Sequence, residues 1–163
     1  MSIKFDSRGN LMPYAVSVLS IDNFRTVFVD SFGQESSRIA LFNEYIRYCQ
    51  ELKNLLSAPF YQWIDGSFVT HKMYPNDLDF ITFINHEVYE VHEQAIDAQF
   101  SKWSVGNFYT GLDAYTIWAY PENHRNQLTF QADCAYWQDW FGRSRYNRMR
   151  QRFPKGFIQI NFD

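Results

Sequence analysis

The sequence predicts an α+β fold, and three observations carry that prediction. Apolar runs of strand length recur at Phe60–Asp65, Leu78–Ile84 and Leu112–Tyr120. Between them lie segments whose apolar residues fall at helical spacing, most plainly Ile39, Phe42, Ile46, Cys49, Leu52 and Leu56. Proline and glycine then punctuate the boundaries, as at Ala58-Pro59, Gly66-Ser67, Pro121 and Gly142. With 46% hydrophobic and 20% aromatic residues in 163 positions, the chain has ample material for one packed core.

Each element can be justified in order. Val16 to Ile21 reads as a weak strand or extended lead-in, and Ile21, Phe24, Val27 and Phe28 mark a short helix. Ser36-Ser37 offers an N-cap to the long helix that stops before Pro59. Val88, Val91, Ala95 and Ala98 indicate a further helix, with His86 and His92 expected on its solvated face. A helix over Asp133–Phe141 brings Tyr136, Trp137 and Trp140, expected mostly as core, and Gly142 stops it. Phe157–Phe162 alternates as a last strand, expected at a sheet edge.

Composition excludes several classes. A net charge of −3 is unlike a globally basic nucleic-acid binder, and no apolar run is long enough to span a bilayer. The amino-terminal residues lack the basic-then-apolar layout of a secretion signal, and the two cysteines, Cys49 and Cys134, form no metal-type pair. A cytoplasmic protein with reduced thiols is the expectation. Six of the fifteen Lys/Arg residues nevertheless fall between Arg143 and Lys155, with no acid among them. That block reads equally as a phosphate-contacting surface or as a solvated basic loop.

The most informative stretch is Trp63 to Phe80. An apolar strand ends at Asp65, Gly66-Ser67 turns the chain, and a second strand opens with Asp77-Leu78-Asp79. Residues two apart on a strand share a face, so Asp77 and Asp79 present their carboxylates together. Adjacent carboxylates repel unless a proton or cation lies between them, and a hard divalent ion such as Mg²⁺ resolves that repulsion. Asp113, at the start of the Leu112 strand, can join them from a neighbouring strand, although an acid there also reads as a solvated cap. Three such carboxylates can hold two metal ions. The small residues Gly66 and Ser67 let backbone N–H groups approach phosphates. Asp65, just before the turn, could orient it by accepting backbone hydrogen bonds.

Gly66-Ser67, a nine-residue gap, Asp77-Leu78-Asp79 and the later Asp113 resemble the pattern of the nucleotidyltransferase superfamily, which includes DNA polymerase beta. The longer frame from Asp65 to Asp79, with Tyr136-Trp137, Phe141-Gly142 and Lys155-Gly156-Phe157-Ile158, is similar to one small, poorly characterised bacterial family within it. The resemblance implies a short mixed β-sheet backed by helices, with its active face at the Gly-Ser turn. It implies Asp77, Asp79 and Asp113 as metal-binding, catalytic carboxylates for Mg²⁺ or Mn²⁺, and Gly66 and Ser67 as the triphosphate turn. Many superfamily members carry Arg-Gly shortly after Gly-Ser, where the arginine helps hold the triphosphate. This chain has His71-Lys72, so Lys72 is the expected substitute, as a point charge and not a fork.

Three functions compete at this stage. The first is transfer of a nucleoside monophosphate from a nucleoside triphosphate to a hydroxyl on a protein, RNA or other acceptor. By analogy with minimal enzymes of the superfamily, it would belong to a toxin–antitoxin or phage-defence module, with a partner protein or homo-oligomer completing acceptor recognition. The second is a non-catalytic, antitoxin-like binding protein that keeps the fold. The third, modification of a small molecule, usually calls for an added helical domain, for which this chain has little length.

Overall fold

The protein is described here by a computed structural model covering residues 3–104 and 106–163. Its centre is a five-stranded mixed sheet, order β3-β7-β4-β5-β6. The strands are β3 (Val16–Val18), β4 (Phe60–Asp65), β5 (Leu78–Asn85), β6 (Leu112–Ala119) and β7 (Phe157–Phe162). β4 runs antiparallel to both β5 and β7, whereas β5–β6 and β3–β7 are parallel pairs. A separate two-stranded hairpin joins β1 (Lys4–Phe5) to β2 (Leu11–Met12). The expected α+β architecture is present.

The pleat divides the core. Leu78, Phe80 and Ile84 of β5 pack with helices α1 (Ile21–Phe28) and α2 (Arg38–Leu56), alongside Phe24, Tyr45, Tyr48 and Leu52. Ile81 and Phe83 face the other way, toward Trp137 and Phe141 of α4 (Gln127–Phe141). Strict alternation therefore sends Asp65, Asp79 and Asp113 to the α4 face, because Tyr61, Trp63, Ile81, Phe83, Tyr115 and Ile117 all lie there.

Several sequence expectations need correction. β7 is not an edge strand but lies between β3 and β4. Its polar Gln159 is accommodated because Trp63 Nε1 donates to Gln159 Oε1 at 2.9 Å. α4 begins at Gln127, six residues before Asp133. Of its rings, Trp137 joins the core, while Tyr136 and Trp140 stay exposed. α3 (His86–Ala95), continued by a wider turn over Ile96–Phe100, buries His86, Tyr89, Ile96 and Phe100, with Val88 partly buried beside them and Val91 left out. Val91 is 78% exposed, and His86 stacks on Tyr120 and His124. The exposed apolar valine and the buried histidine invert the usual reading of their side chains.

Ser36 and Ser37 do not cap α2 in the usual way. Their hydroxyls donate to the carbonyls of Met73 and Pro75, both at 2.7 Å. Beside them Arg38 is wholly buried and donates to the carbonyls of Phe28, Phe68, Thr70 and Lys72 at 2.5–3.2 Å. Its guanidinium also lies 3.8 Å from the Phe32 ring centroid. Burial pulls Arg38 down to about 10, so it remains charged at neutral pH. A planar fork with five donors is what four converging carbonyls require.

Arg38→Met is expected to lower stability by about 3 kcal/mol or more, since each buried acceptor left alone costs about 1–3 kcal/mol. Arg38→Lys should recover little, because an ammonium cannot reach all four carbonyls. Urea unfolding midpoints of the three proteins check this; a shift below about 1 kcal/mol in Arg38→Met would show that water replaces the guanidinium freely.

Candidate functional site

The site is built by strand register. Asp65 of β4 lies opposite Asp79 of β5, and Asp79 lies opposite Asp113 of β6. The three carboxylates form a row across adjacent strands on one face of the sheet. Asp77 enters from the loop just before β5, and oxygens of Asp77, Asp79 and Asp113 lie within 4.8 Å of one another. All three residues are half-buried.

Gly66 roofs this cluster. Its φ is +76°, and a Cβ there would lie 1.8 Å from Asp79 Oδ2. No side chain fits, so glycine lets the turn descend onto the carboxylate. Asp79 Oδ2 is buried and has no hydrogen-bond partner. Burial pushes the Asp79 carboxyl up to about 6, the charges of Asp77 and Asp113 add to the rise, and Arg145 and Lys155 oppose it. A buried acceptor without a donor, beside two further carboxylates, suits a hard cation. The residues present therefore fit a divalent ion.

The ends of the row are already neutralised. Lys155 Nζ lies 2.7 Å from Asp65 Oδ1 and donates to the Gly66 carbonyl at 3.2 Å, with both side chains buried. Lys155 is thus not part of an exposed basic block. It is the counter-ion that fixes Asp65 beneath the turn, and burial raises the Asp65 carboxyl while Lys155 opposes the rise. At the other end Lys102 Nζ lies 2.5 Å from Asp113 Oδ2 and 3.1 Å from the Tyr115 hydroxyl.

These groups line a cleft of about 570 Å³. Gly66, Ser67, Lys72, Asp77, Asp79 and Asp113, the residues expected from the motif, all face it. His71 does not; its ring packs between Phe5 and Phe32 at 5.4 and 5.6 Å. Tyr115 turns to the cleft, whereas Trp118 packs on Tyr89 at the opposite face. The wall also includes Lys102, Trp140 and Tyr146, which no motif marked as site residues, and Arg143, Arg145 and Arg152 from the basic block. Arg152 packs 5.4 Å from the ring centroids of both Trp140 and Tyr146, and Arg143 pairs with Asp139. Arg145, Arg148 and Arg150 have no carboxylate partner among the described residues.

The chain matches a family of unknown function, DUF6932, over residues 3–161. It belongs to that family. Neither the curated proteins nor the solved structures contain a match to it. The family assignment spans every element of the sheet and the whole cleft. No helix among the described residues is long and apolar enough to cross a membrane.

The raised Asp79 carboxyl sets a pH dependence for the metal-free protein. An unfolded aspartate titrates near 3.9, so the folded state binds the proton more tightly and is penalised once that proton is lost. Stability contributed here is present below about pH 4 and declines as pH rises through about 6. Asp79→Asn should therefore stabilise the apo protein at pH 7 by about 1–2 kcal/mol and flatten its profile between pH 4 and 6. Thermal melts across that window check this; a destabilised Asp79→Asn protein at pH 7 would contradict it.

Proposed function

We propose that this protein is a Mg²⁺-dependent nucleotidyltransferase that moves a nucleoside monophosphate from a triphosphate to an acceptor hydroxyl. The observation that carries this reading is the convergence of Asp77, Asp79 and Asp113 beneath the Gly66-Ser67 turn in one open cleft. Its resemblance to the nucleotidyltransferase pattern supports the same reading. Asp77, Asp79 and Asp113 would hold Mg²⁺ or Mn²⁺, which when bound neutralises charge on the triphosphate and on the attacking oxygen.

The chain's own groups supply the remainder. The bare Gly66 leaves room for phosphate oxygens beside Asp79, and Ser67 presents its small side chain at the same wall. Lys72, Arg143, Arg145 and Arg152 make the mouth of the cleft positive above its acidic floor. That polarity draws in a polyanion and sets its phosphates toward the carboxylates. Attack forms a bond from the acceptor oxygen to the α-phosphorus, the hydroxyl proton passes to solvent, and the bond to the bridging oxygen breaks to release pyrophosphate. Holding both partners in line accounts for much of the acceleration. The acceptor would be a protein or RNA, with the toxin–antitoxin or phage-defence setting and a cytoplasmic location as further parts of the proposal. A second reading, a non-catalytic binding protein of antitoxin type, draws support from Lys102, which already neutralises Asp113.

The deciding experiment incubates the protein with Mg²⁺ and each labelled nucleoside triphosphate, with and without cell lysate. Labelled acceptor with pyrophosphate release is expected; its absence for every nucleotide favours the second reading. Replacing Asp77 and Asp79 together by alanine should abolish metal-dependent triphosphate binding with the fold intact. Asp113→Asn should keep binding but reduce transfer by 10²-fold or more, on the order of one lost transition-state contact. Calorimetry and single-turnover rates separate these outcomes, and wild-type turnover in Asp113→Asn would discard Asp113 from the machinery.

The arginine loop gives an independent readout. Arg145, Arg148 and Arg150 changed together to Gln should weaken acceptor binding and flatten its salt dependence. Free triphosphate should lose less affinity than the acceptor, because Arg145 alone of the three lines the cleft and the main grip comes from metal and backbone. Collapse of triphosphate affinity instead would assign the loop to the nucleotide.

A further inference from the structure

Lys102 is the one ammonium among the described residues that contacts a member of the Asp77, Asp79 and Asp113 cluster. Its Nζ is held by Asp113 Oδ2 at 2.5 Å and the Tyr115 hydroxyl at 3.1 Å, and lies 5.3 Å from the Tyr115 ring centroid. The base of its side chain is fixed too. The Lys102 backbone N–H donates to the carbonyl of Ala114, next to Asp113, at 2.9 Å. A lysine tethered at both ends and about 28% exposed is not a free surface charge.

The three carboxylates are thus unequal. Asp113 has a cation, whereas Asp77 has no ion-pair partner among the described residues and Asp79 Oδ2 is buried without a donor. We propose that the site takes a single divalent ion, shared by Asp77 and Asp79, and that Lys102 is the second cation, fixed on Asp113. This rests on the nucleotidyltransferase reading and narrows it. Three carboxylates, one ammonium and one divalent ion are neutral together, so substrate phosphates meet no uncompensated floor. A second divalent ion on Asp113 would have to expel the ammonium from the oxygen it occupies, since like charges that close repel strongly. Asp113 then serves the acceptor side through its other oxygen, held in place by Lys102, which acts as a positioning residue.

Counting bound Mn²⁺ by equilibrium dialysis and paramagnetic resonance tests this, with Mn²⁺ alone and with inorganic tripolyphosphate, the moiety shared by all nucleoside triphosphates. Tripolyphosphate carries Mn²⁺ itself, so the count is taken per chain against a phosphate-matched blank. One ion is expected in wild type, in Asp113→Asn and in Lys102→Arg, and two in Lys102→Met. Two ions in wild type, or one in a folded Lys102→Met, overturn the inference while leaving the transferase reading in place. No Mn²⁺ in any protein removes both. The wild-type and Asp113→Asn counts decide the matter even if Lys102→Met does not fold.

Discussion

The buried guanidinium of Arg38 is the constraint on which the site depends. The segment from Gly66 to Asp77 has almost no regular hydrogen bonding of its own beyond a single short turn at Ser67–Val69. Such a segment would ordinarily keep its carbonyls in water. Here Arg38 gathers those of Phe68, Thr70 and Lys72, and Ser36 and Ser37 hold those of Met73 and Pro75. The first residues of α2 therefore dictate where the loop ends, and with it where Asp77 stands relative to Asp79. The hairpin adds a last clasp, with the His71 N–H donating to the Gly9 carbonyl at 2.9 Å.

Charge is distributed along the row with the same economy of parts. Four aspartates converge on one end of the sheet, an arrangement that by itself would resist folding. Lys155 silences Asp65 from below the turn, and Lys102 silences Asp113 from beside β6. What remains without an ion-pair partner among the described residues is the pair Asp77 and Asp79, the two residues separated only by Leu78. Buried ion pairs contribute little net stability, yet a missing partner is severely felt. Lys155 and Lys102 are best understood as devices that limit repulsion to one place.

Legibility in the sequence followed range. The limits of β4 and β5 and the close of α2 were readable from neighbouring residues: Pro59, the apolar run, and Gly66 after Asp65. Asp79 and Asp113 lie on their strands as local spacing indicates, whereas Asp77, expected as the first residue of the second strand, stands in the loop just before Leu78. The positions of Lys155 and Arg38 were not readable, since their partners lie far away in the chain, and that of Lys102 was not because its partner Asp113, eleven residues on, belongs to no shared element or motif. A lysine in a run of arginines has every local mark of a solvated residue; only Asp65, on a distant strand, makes it a core one. β7 was misplaced for a related reason. Its Gln159 and Asn161 resemble edge residues until the Trp63 indole is seen to satisfy Gln159. In α3 the spacing marked the helix but not all of its buried face, because Val91 is exposed and the helix is anchored by His86, Tyr89 and Ile96.

The central position of β7 has a consequence for synthesis. β3 and β4 touch no common strand except β7, although more than ninety residues separate β4 from it in the chain. A ribosome that has released residues up to α4 has made four strands of the central sheet, β3 to β6, but neither β7, which bridges β3 to β4, nor Lys155. Until then Asp65 has no counter-ion and the Gly66 turn has no floor. The charge-balanced arrangement of acids is therefore the last thing the nascent chain acquires, and slow, non-local pairing is its natural kinetic bottleneck. Interrupted translation products would carry the motif with Asp65 left unpaired.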